Sequence, residues 1–478
     1  MSSNQANAPT NSSRTPVLVL VLASYLMIVL DTSIVITGLP KIRESLGFSP
    51  AALSWVHTAY TLTFGGLLLA GARAGDLFGR RRMLVAGLAI FMVASLAIGL
   101  AISPTMLVAA RAVQGMGAAV LAPSTLALLS VTYPEGMQRT RALALYGATA
   151  GVGASVGMVL GGVLADLLSW RVGFFINVPI GAFLIWGATR YVRESATQEG
   201  RLDMPGAVLS TFGMVLLVFG FVEAAETGWG ATQSWLPLVS SVLMLAAFVR
   251  HESRARQPLL PLRLFADRAR AGAYVARLLF LAGVIGFWFY TTQYLQGVLG
   301  MRPMQAGLAF LPATVAQFFA AMAVSRLSRR FGDEKVLAAG LALTSLGMAW
   351  LACASPKVSY VASVALPMVL LGIGQGISLS PLTVAGVRGV PARDAGAASG
   401  VVNAAHQLGG TMGLAVLVVV FAASGGHVAD ESVDLAHRVG ACLAVGAALL
   451  AVALIVVLLT VMRRPRSLET DGVRAASR

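Results

Sequence analysis

Two ionisable residues sit inside runs that are otherwise apolar: Asp31 in YLMIVLDTSIVIT (25–37) and Arg111 in LVAARAVQGMGAA (107–119). A charged side chain at membrane depth is costly and marks, by default, an ion path, a proton relay or a substrate contact. Burial disfavours a charged carboxylate, whereas a nearby guanidinium favours it. A carboxylate held between these two influences takes up or loses a proton as the arginine moves or a cationic ligand arrives. Such a group can couple protons to a cargo. At about 100 mV, one charge crossing the membrane supplies roughly 2.3 kcal/mol, enough for a gradient of about forty-fold. A second carboxylate would add to this, and Glu223 in FVEAAETGWG (221–230) is the candidate, with an interfacial role as the competing reading. For Asp31 and Arg111 the competing reading is an ion pair that only ties two helices together.

The elements that must position these groups follow from composition. Hydrophobic residues make up 57% of the 478-residue chain and charged residues 12%, and the mean hydropathy is +0.79. This is the profile of an all-α polytopic membrane protein. Runs long enough to cross a hydrocarbon core, about 20 residues, fall at 17–39, 53–74, 83–102, 104–127, 142–165, 172–190 and 205–225. They continue at 235–250, 271–297, 303–325, 335–353, 358–386, 395–423 and 437–462. The expectation is therefore 14 transmembrane helices.

Lysine and arginine alternate between loops in the way cytoplasmic loops enforce. Of 35 such residues, the loops on one side hold only Lys41, Arg43, Arg171, Arg302, Lys357 and Arg438, while Arg111 and Arg277 lie within spans. Both termini are expected in the cytoplasm. With that orientation Asp31 lies about 14 residues, roughly 21 Å, above the inner start of its span, and Arg111 about seven residues, roughly 10 Å, below the outer end of its own. In a core about 30 Å thick the two depths nearly coincide, so both are expected to face one polar cavity in the outer half of the first bundle.

The domain plan is a cytoplasmic tail at 1–16, a six-helix bundle at 17–190, linkers with two inserted helices at 191–270, a second six-helix bundle at 271–462 and a tail at 463–478. The first apolar run lacks a small-residue cleavage site and is read as a retained helix, not a signal peptide. The net charge of +15 is spread over short loops and not gathered on one face, so membrane topology accounts for it and nucleic acid does not. Cys353 and Cys442 lack metal-ligand spacing and read as small packing residues. No HExxH, GxSxG or phosphate-binding Gly-Lys-Ser loop is present, which argues against an enzyme or an ATP-driven pump. No metal or organic cofactor is expected.

Further candidates come from the spans. GFWFYTTQYLQ (286–296) carries Thr and Gln groups that would be expensive against lipid; with it, Tyr60, Trp288, Tyr290, Gln293, Tyr294, Asn403 and His406 are candidates for a cavity that takes a small molecule. Arg277 lies close enough to a span end to snorkel, and His57 and Asp166 read as interfacial. GASVGMVLGG (153–162) places Gly153, Gly157 and Gly161 on one helix face, where they allow close approach of a second helix.

Several of these stretches carry a resemblance. GARAGDLFGRRRML (71–84) is similar to the signature G-x-L-a-D-R-x-G-R-[RK] of the major facilitator superfamily at Asp76, Gly79, Arg80 and Arg81, with Ala72, Ala74 and Leu77 departing from it. The segment around Arg111 resembles that family's L-x-x-x-R-x-x-Q-G-x-G at Leu107, Arg111, Gln114, Gly115 and Gly117. GASVGMVLGG resembles its antiporter pattern G-x-x-x-G-P-x-x-G-G, ending at Gly162, with Met158 in place of Pro. LDTSIVITGLP (30–40), WRVGFFINVPIG (170–181), LDMPG (202–206), YLQGVLGMRPMQAGLAFLP (294–312) and AGAASGVVNAAHQLGGTMG (395–413) resemble the fourteen-helix drug:proton antiporter branch.

The resemblance implies export of amphipathic drugs or toxic small molecules by alternating access in a plasma membrane, with protons as coupling ion; Asp31, Arg111 and Glu223, picked out by charge and depth, are the expected coupling residues. It implies gating roles for Asp76, Gly79, Arg80, Arg81, Gln114, Gly153, Gly157, Gly161 and Gly162, and a monomer in the bilayer as the working unit. The alternative reading is a proton-coupled symporter that imports a small metabolite, which Met158 keeps open. The orientation is testable by thiol labelling in a cysteine-free background: Lys41→Cys and Arg302→Cys are expected to react with an impermeant maleimide in intact cells, and Ser13→Cys and Arg464→Cys only after lysis.

Overall fold

The computed structural model describes residues 11–133, 137–194, 203–255, 258, 260, 262–354, 359–390, 395–425 and 430–462. The ends of the expected tails, 1–10 and 463–478, and much of the expected 191–204 linker lie outside these residues. All regular structure among the described residues is helical. The chain begins with α1 (Asn11–Leu46), α2 (Trp55–Phe78), α3 (Arg80–Gly99), α4 (Pro104–Thr132), α5 (Met137–Leu167), the short α6 (Val172–Phe175) and α7 (Asn177–Tyr191). A hairpin of α8 (Met204–Thr227) and α9 (Thr232–Glu252) follows. The rest comprises α10 (Arg268–Gln293), α11 (Pro303–Ala309), α12 (Leu311–Phe331), α13 (Asp333–Ala352), α14 (Leu366–Val387), α15 (Ala395–Ala423) and α16 (Glu431–Thr460).

Among the described residues, twelve helical stretches are long and apolar enough to cross a membrane, against the 14 expected. The other two expected spans, 53–74 and 142–165, fall on α2 and α5, where some side chains lie outside the described set.

Local signals set the helix ends. Ser103 accepts a hydrogen bond from the Met106 N–H at 3.2 Å and Pro104 opens α4, a cap followed by a residue whose missing N–H costs nothing there. Asp203, Asp267 and Asp430 cap α8, α10 and α16 in the same way. The Ser432 hydroxyl and the N–H groups of Val433 and Ser432 hold the Asp430 carboxyl below its ordinary range. The reversals between α2 and α3 and between α12 and α13 turn on Gly79 (φ 99°) and Gly332 (φ 86°), backbone conformations that glycine adopts without a Cβ penalty. Arg80, Arg81 and Arg82 follow the first of these turns, and Arg329 and Arg330 precede the second; we call this end of the molecule the basic end.

Helices α1 to α7 pack on one another, as do α10 to α16, and the groups meet along two main seams, α2 against α15 and α5 against α11 and α12, with smaller contacts of α1 on α10 and α11. The inserted α8 packs on α9 and also leans on both α2 and α15, burying Met214, Val218 and Val222 against Leu62 and Ala415. Away from the basic end, one continuous apolar cluster runs through both groups, from Val35, Leu39 and Ile42 to Phe287, Tyr290 and Phe310. At the basic end the cores are separate: Leu20, Leu84, Leu128 and Leu184 in the first group, and Ala320, Val336 and Ile377 in the second. The apolar core is shared by the two groups at one end and divided between them at the other.

The small residues of α5 bring it against α1. A Cβ on Gly153 would meet Leu26 and Val29, one on Gly157 would meet Ser33 at 2.6 Å, and one on Gly161 would meet the Ile34 backbone at 2.6 Å. Gly162 faces the other way, onto Met304 and the Pro303 backbone of α11. Gly161→Leu is therefore expected to lower stability by about 1–3 kcal/mol through overpacking, read as a lower midpoint of thermal unfolding in detergent. Gly410→Ala, at a position with nothing within 4 Å, is expected not to lower it.

Candidate functional site

On α4 the spacing of Arg111 and Gln114 puts both side chains on one helix face, turned toward α1. There Arg111 Nη1 donates to Asp31 Oδ2 at 2.7 Å, and both side chains are fully buried at 0% exposure. Gln114 closes the pair into a network: its Oε1 accepts from Arg111 Nη1, and its Nε2 donates to Asp31 Oδ1 at 2.8 Å and to Ser95 Oγ at 2.8 Å. The Asn177 amide adds a third donor to the carboxylate, at 2.8 Å from Oδ1. The Ser95 hydroxyl itself donates to the Phe91 carbonyl at 2.7 Å. Arg111 Nε donates to the Val56 carbonyl of α2 at 2.8 Å. Its guanidinium lies over the Tyr60 ring, 4.3 Å from the centroid, a cation–π contact that strengthens when water is excluded.

The depth argument thus brings Asp31 and Arg111 together, with one correction. They were expected to face a shared polar cavity; instead they meet directly, with no space between them, under the rings of Tyr60 and Phe174. The interior is close-packed, and two long polar groups at one level satisfy each other before they line a void. Tyr60, expected in a substrate cavity, is buried as the lid over Arg111. Ser95 and Asn177 were missed as site residues. A buried serine and an asparagine at the first position of α7 carry no charge to draw notice, although Asn177 lies inside WRVGFFINVPIG.

Glu223 does not join this network. It is half-buried near the end of α8, its backbone carbonyl accepting from Thr227 at 2.8 Å, while Glu226 accepts from Ser49 at 2.5 Å. Trp288, Tyr290, Gln293 and Tyr294 pack within the second group: Tyr290 stacks on Phe421 at 5.2 Å and Trp288 on Phe310 at 5.4 Å, with Gln293 and Tyr294 buried. Asn403 is exposed and His406 half-buried on α15. His57, read as interfacial, is buried beside Arg111.

Arg277, read as a snorkelling residue, turns inward, 8% exposed. At the basic turn, Arg80 and Arg81 donate to the carbonyls of Ala127 and Val192 at 3.2 and 3.4 Å. The Glu194 carboxylate accepts from the N–H groups of Arg81 and Arg82 at 3.0 and 3.2 Å, a helix N-terminal contact that sequence reasoning overlooked. The Asp76 side chain lies outside the described set.

An all-helical, membrane-spanning protein built of two helix groups, with an ionic network inside one of them, has the construction of a secondary transporter. The chain belongs to the Major Facilitator Superfamily, whose family model matches residues 21–414. It is 41% identical over 459 residues to the cephamycin export protein CmcT of Amycolatopsis lactamdurans, covering 95% of this chain and 94% of that one. It is 38% identical over 427 residues to the puromycin resistance protein pur8 of Streptomyces alboniger, with 88% and 85% covered. The crystal structure of a bacterial homolog of the human lysosomal transporter Spinster shares the fold, with a TM-score of 0.68 at 15% identity over 96% of this chain and all (100%) of that one.

Because the pair is buried, removing one partner strands the other charge. Asp31→Asn is expected to cost about 3–5 kcal/mol of stability, and Asp31→Asn with Arg111→Gln substantially less than the sum of the single losses. A double-mutant cycle on chemical unfolding in detergent checks this.

Proposed function

We propose that this chain exports amphipathic drugs or toxic small molecules across a bacterial plasma membrane in exchange for protons. The observation that carries this reading is the Asp31 carboxylate, fully buried and held by Arg111, Gln114 and Asn177 from two other helices. Similarity to the cephamycin export and puromycin resistance proteins over nearly the whole of each chain supports export as the direction. With the basic end and both termini in the cytoplasm, the end with the shared core is the outer one, and the divided cores lie toward the cytoplasm. The organisation is six helices, an inserted pair and six helices, in a monomer.

The chemistry rests on one exchange at Asp31 Oδ2. All donors around the carboxylate complement its charged form, so proton uptake requires Arg111 Nη1 to withdraw. The guanidinium keeps the Val56 carbonyl and the Tyr60 face as alternative partners, which lowers the cost of that withdrawal. Reprotonation and the shift of α1 and α4 against each other change the packing at the α2/α15 and α5/α11 seams. There Thr61 and Thr411 share a hydrogen bond at 2.9 Å and Gly307 of α11 lies against the Met158 backbone of α5. Opening these seams while closing the basic end moves the cargo site from one side to the other. Glu223, near the outer end of α8, is a second proton group in this scheme.

In liposomes with an internal pH dye, at least one member of a panel of cationic, neutral and anionic amphiphiles added to the wild type is expected to drive proton movement, and Asp31→Asn to lose it while still folding. Wild-type exchange in a folded Asp31→Asn variant removes Asp31 from the coupling site.

A further inference from the structure

A second buried cation has no counter-ion among the described residues. Arg277, on α10 about 14 Å along the helix from Arg268 at 1.5 Å per residue, is 8% exposed. Among the described residues no carboxylate pairs with it: Nη1 donates to the Leu379 carbonyl at 3.2 Å and to Thr383 Oγ1 at 3.3 Å, both on α14, and the buried Nε has no partner. Leaving a guanidinium unpaired at membrane depth costs several kcal/mol in general, so a chain retains one where something intermittently neutralises it.

The surroundings define what that is. Arg277 is carried by α10, which packs on α15 of its own group and touches α1 of the other, and it lies within electrostatic reach of Tyr25 on α1 and His406 on α15. Tyr25 stacks on Tyr146 of α5 at 4.0 Å with an interplanar angle of 11°, and both rings are partly exposed. Thr383 is exposed beside the guanidinium, and the buried His406 Nδ1 is unpartnered. A fork of donors that matches a carboxylate and a flat aromatic platform thus belong to neighbouring helices at the boundary between the two groups.

We infer that Arg277 is the anion-recognition residue of the cargo site and that the site takes an amphipathic carboxylate, its acid on Arg277 and its apolar body on Tyr25 and Tyr146. The inference rests on the export reading and adds the charge of the cargo. A lipid headgroup phosphate offers the same charge, and the test separates the two sources.

The test uses full-length protein in phosphatidylcholine nanodiscs, titrated with dansylglycine and with its uncharged amide. The wild type is expected to bind the carboxylate about tenfold tighter or more than the amide, Arg277→Lys to keep part of that preference, and Arg277→Gln to bring the ratio close to one while remaining folded by size-exclusion chromatography. Tyr25→Ala is expected to weaken both probes together. Equal binding, or none, of the two probes by the wild type overturns the inference. So does a preference unchanged in Arg277→Gln, or one that emerges only when phosphatidylglycerol is added, which assigns Arg277 to lipid. A wild type that shows no preference but still exchanges protons for cargo sinks this inference alone, and an intact preference without any transport sinks the export reading alone.

Discussion

A carboxylate stripped of water demands hydrogen-bond donors on every side, and meeting that demand for Asp31 constrains the first helix group more than any other contact. Its oxygens take Arg111 and Gln114 from α4 and Asn177 from α7, while Ser95 of α3 ties the two amides together. Arg111 in turn reaches the backbone of α2. Five helices are thereby referenced to one oxygen pair. A buried ion pair of this kind adds little net stability over an apolar packing of the same shape; what it adds is a single permitted register, because any slide of α4 along α1 leaves a charge unpaired.

Such a network requires backbones close enough for short polar side chains to meet. Glycine provides that proximity. Gly115 of α4 lies against the Tyr60 carbonyl and Thr63 of α2, whose hydroxyl donates to the Ala112 carbonyl at 2.8 Å; Gly157 and Gly161 of α5 lie on α1. Within a bilayer, where apolar side chains gain nothing by leaving lipid, close van der Waals contact and interhelical hydrogen bonds supply the association. The same device recurs at the seams, where Gly162 and Gly307 let α5 and α11 touch. Contacts made of backbone and small residues have little side-chain interlocking to undo, which suits interfaces that open and close.

The inserted hairpin adds a brace. Helix α8 touches both sides of the α2/α15 seam, and Gly66 of α2 lies against Thr211, whereas α9 shows most of its surface outward. Its far end is tied to the loop after α1 through Ser49 and Glu226. At its basic end, His251 and Asp203 meet at 2.7 Å and Glu252 caps the Leu260 N–H at 2.9 Å. The hairpin is fastened at both ends and in contact with the α2/α15 seam between them.

Hydropathy and charge pattern alone determined that this chain is an all-helical membrane protein, because a backbone in lipid must satisfy its hydrogen bonds internally and each crossing needs a long apolar run. The depth of Asp31 and Arg111 was also legible, since helix rise converts residue number into height. So was the glycine face of α5, because 3.6-residue periodicity assigns residues to faces. Lateral position was not. Glu223 lies at a plausible height on a helix that never joins the pair. The aromatic run 286–296 lies at the right depth but is packed into the shared core, with Gln296 donating to the Thr37 carbonyl of α1 at 3.1 Å, and Arg277, near enough to a helix end to snorkel, points inward.

Sequence spacing carries no information about which helices are neighbours. Only tertiary structure decided that neutral Ser95 and Asn177 complete the ionic network, that Tyr60 covers it, and that no cavity separates the two charges. Height in the membrane is a one-dimensional property of the chain; adjacency in the plane of the membrane is set by packing.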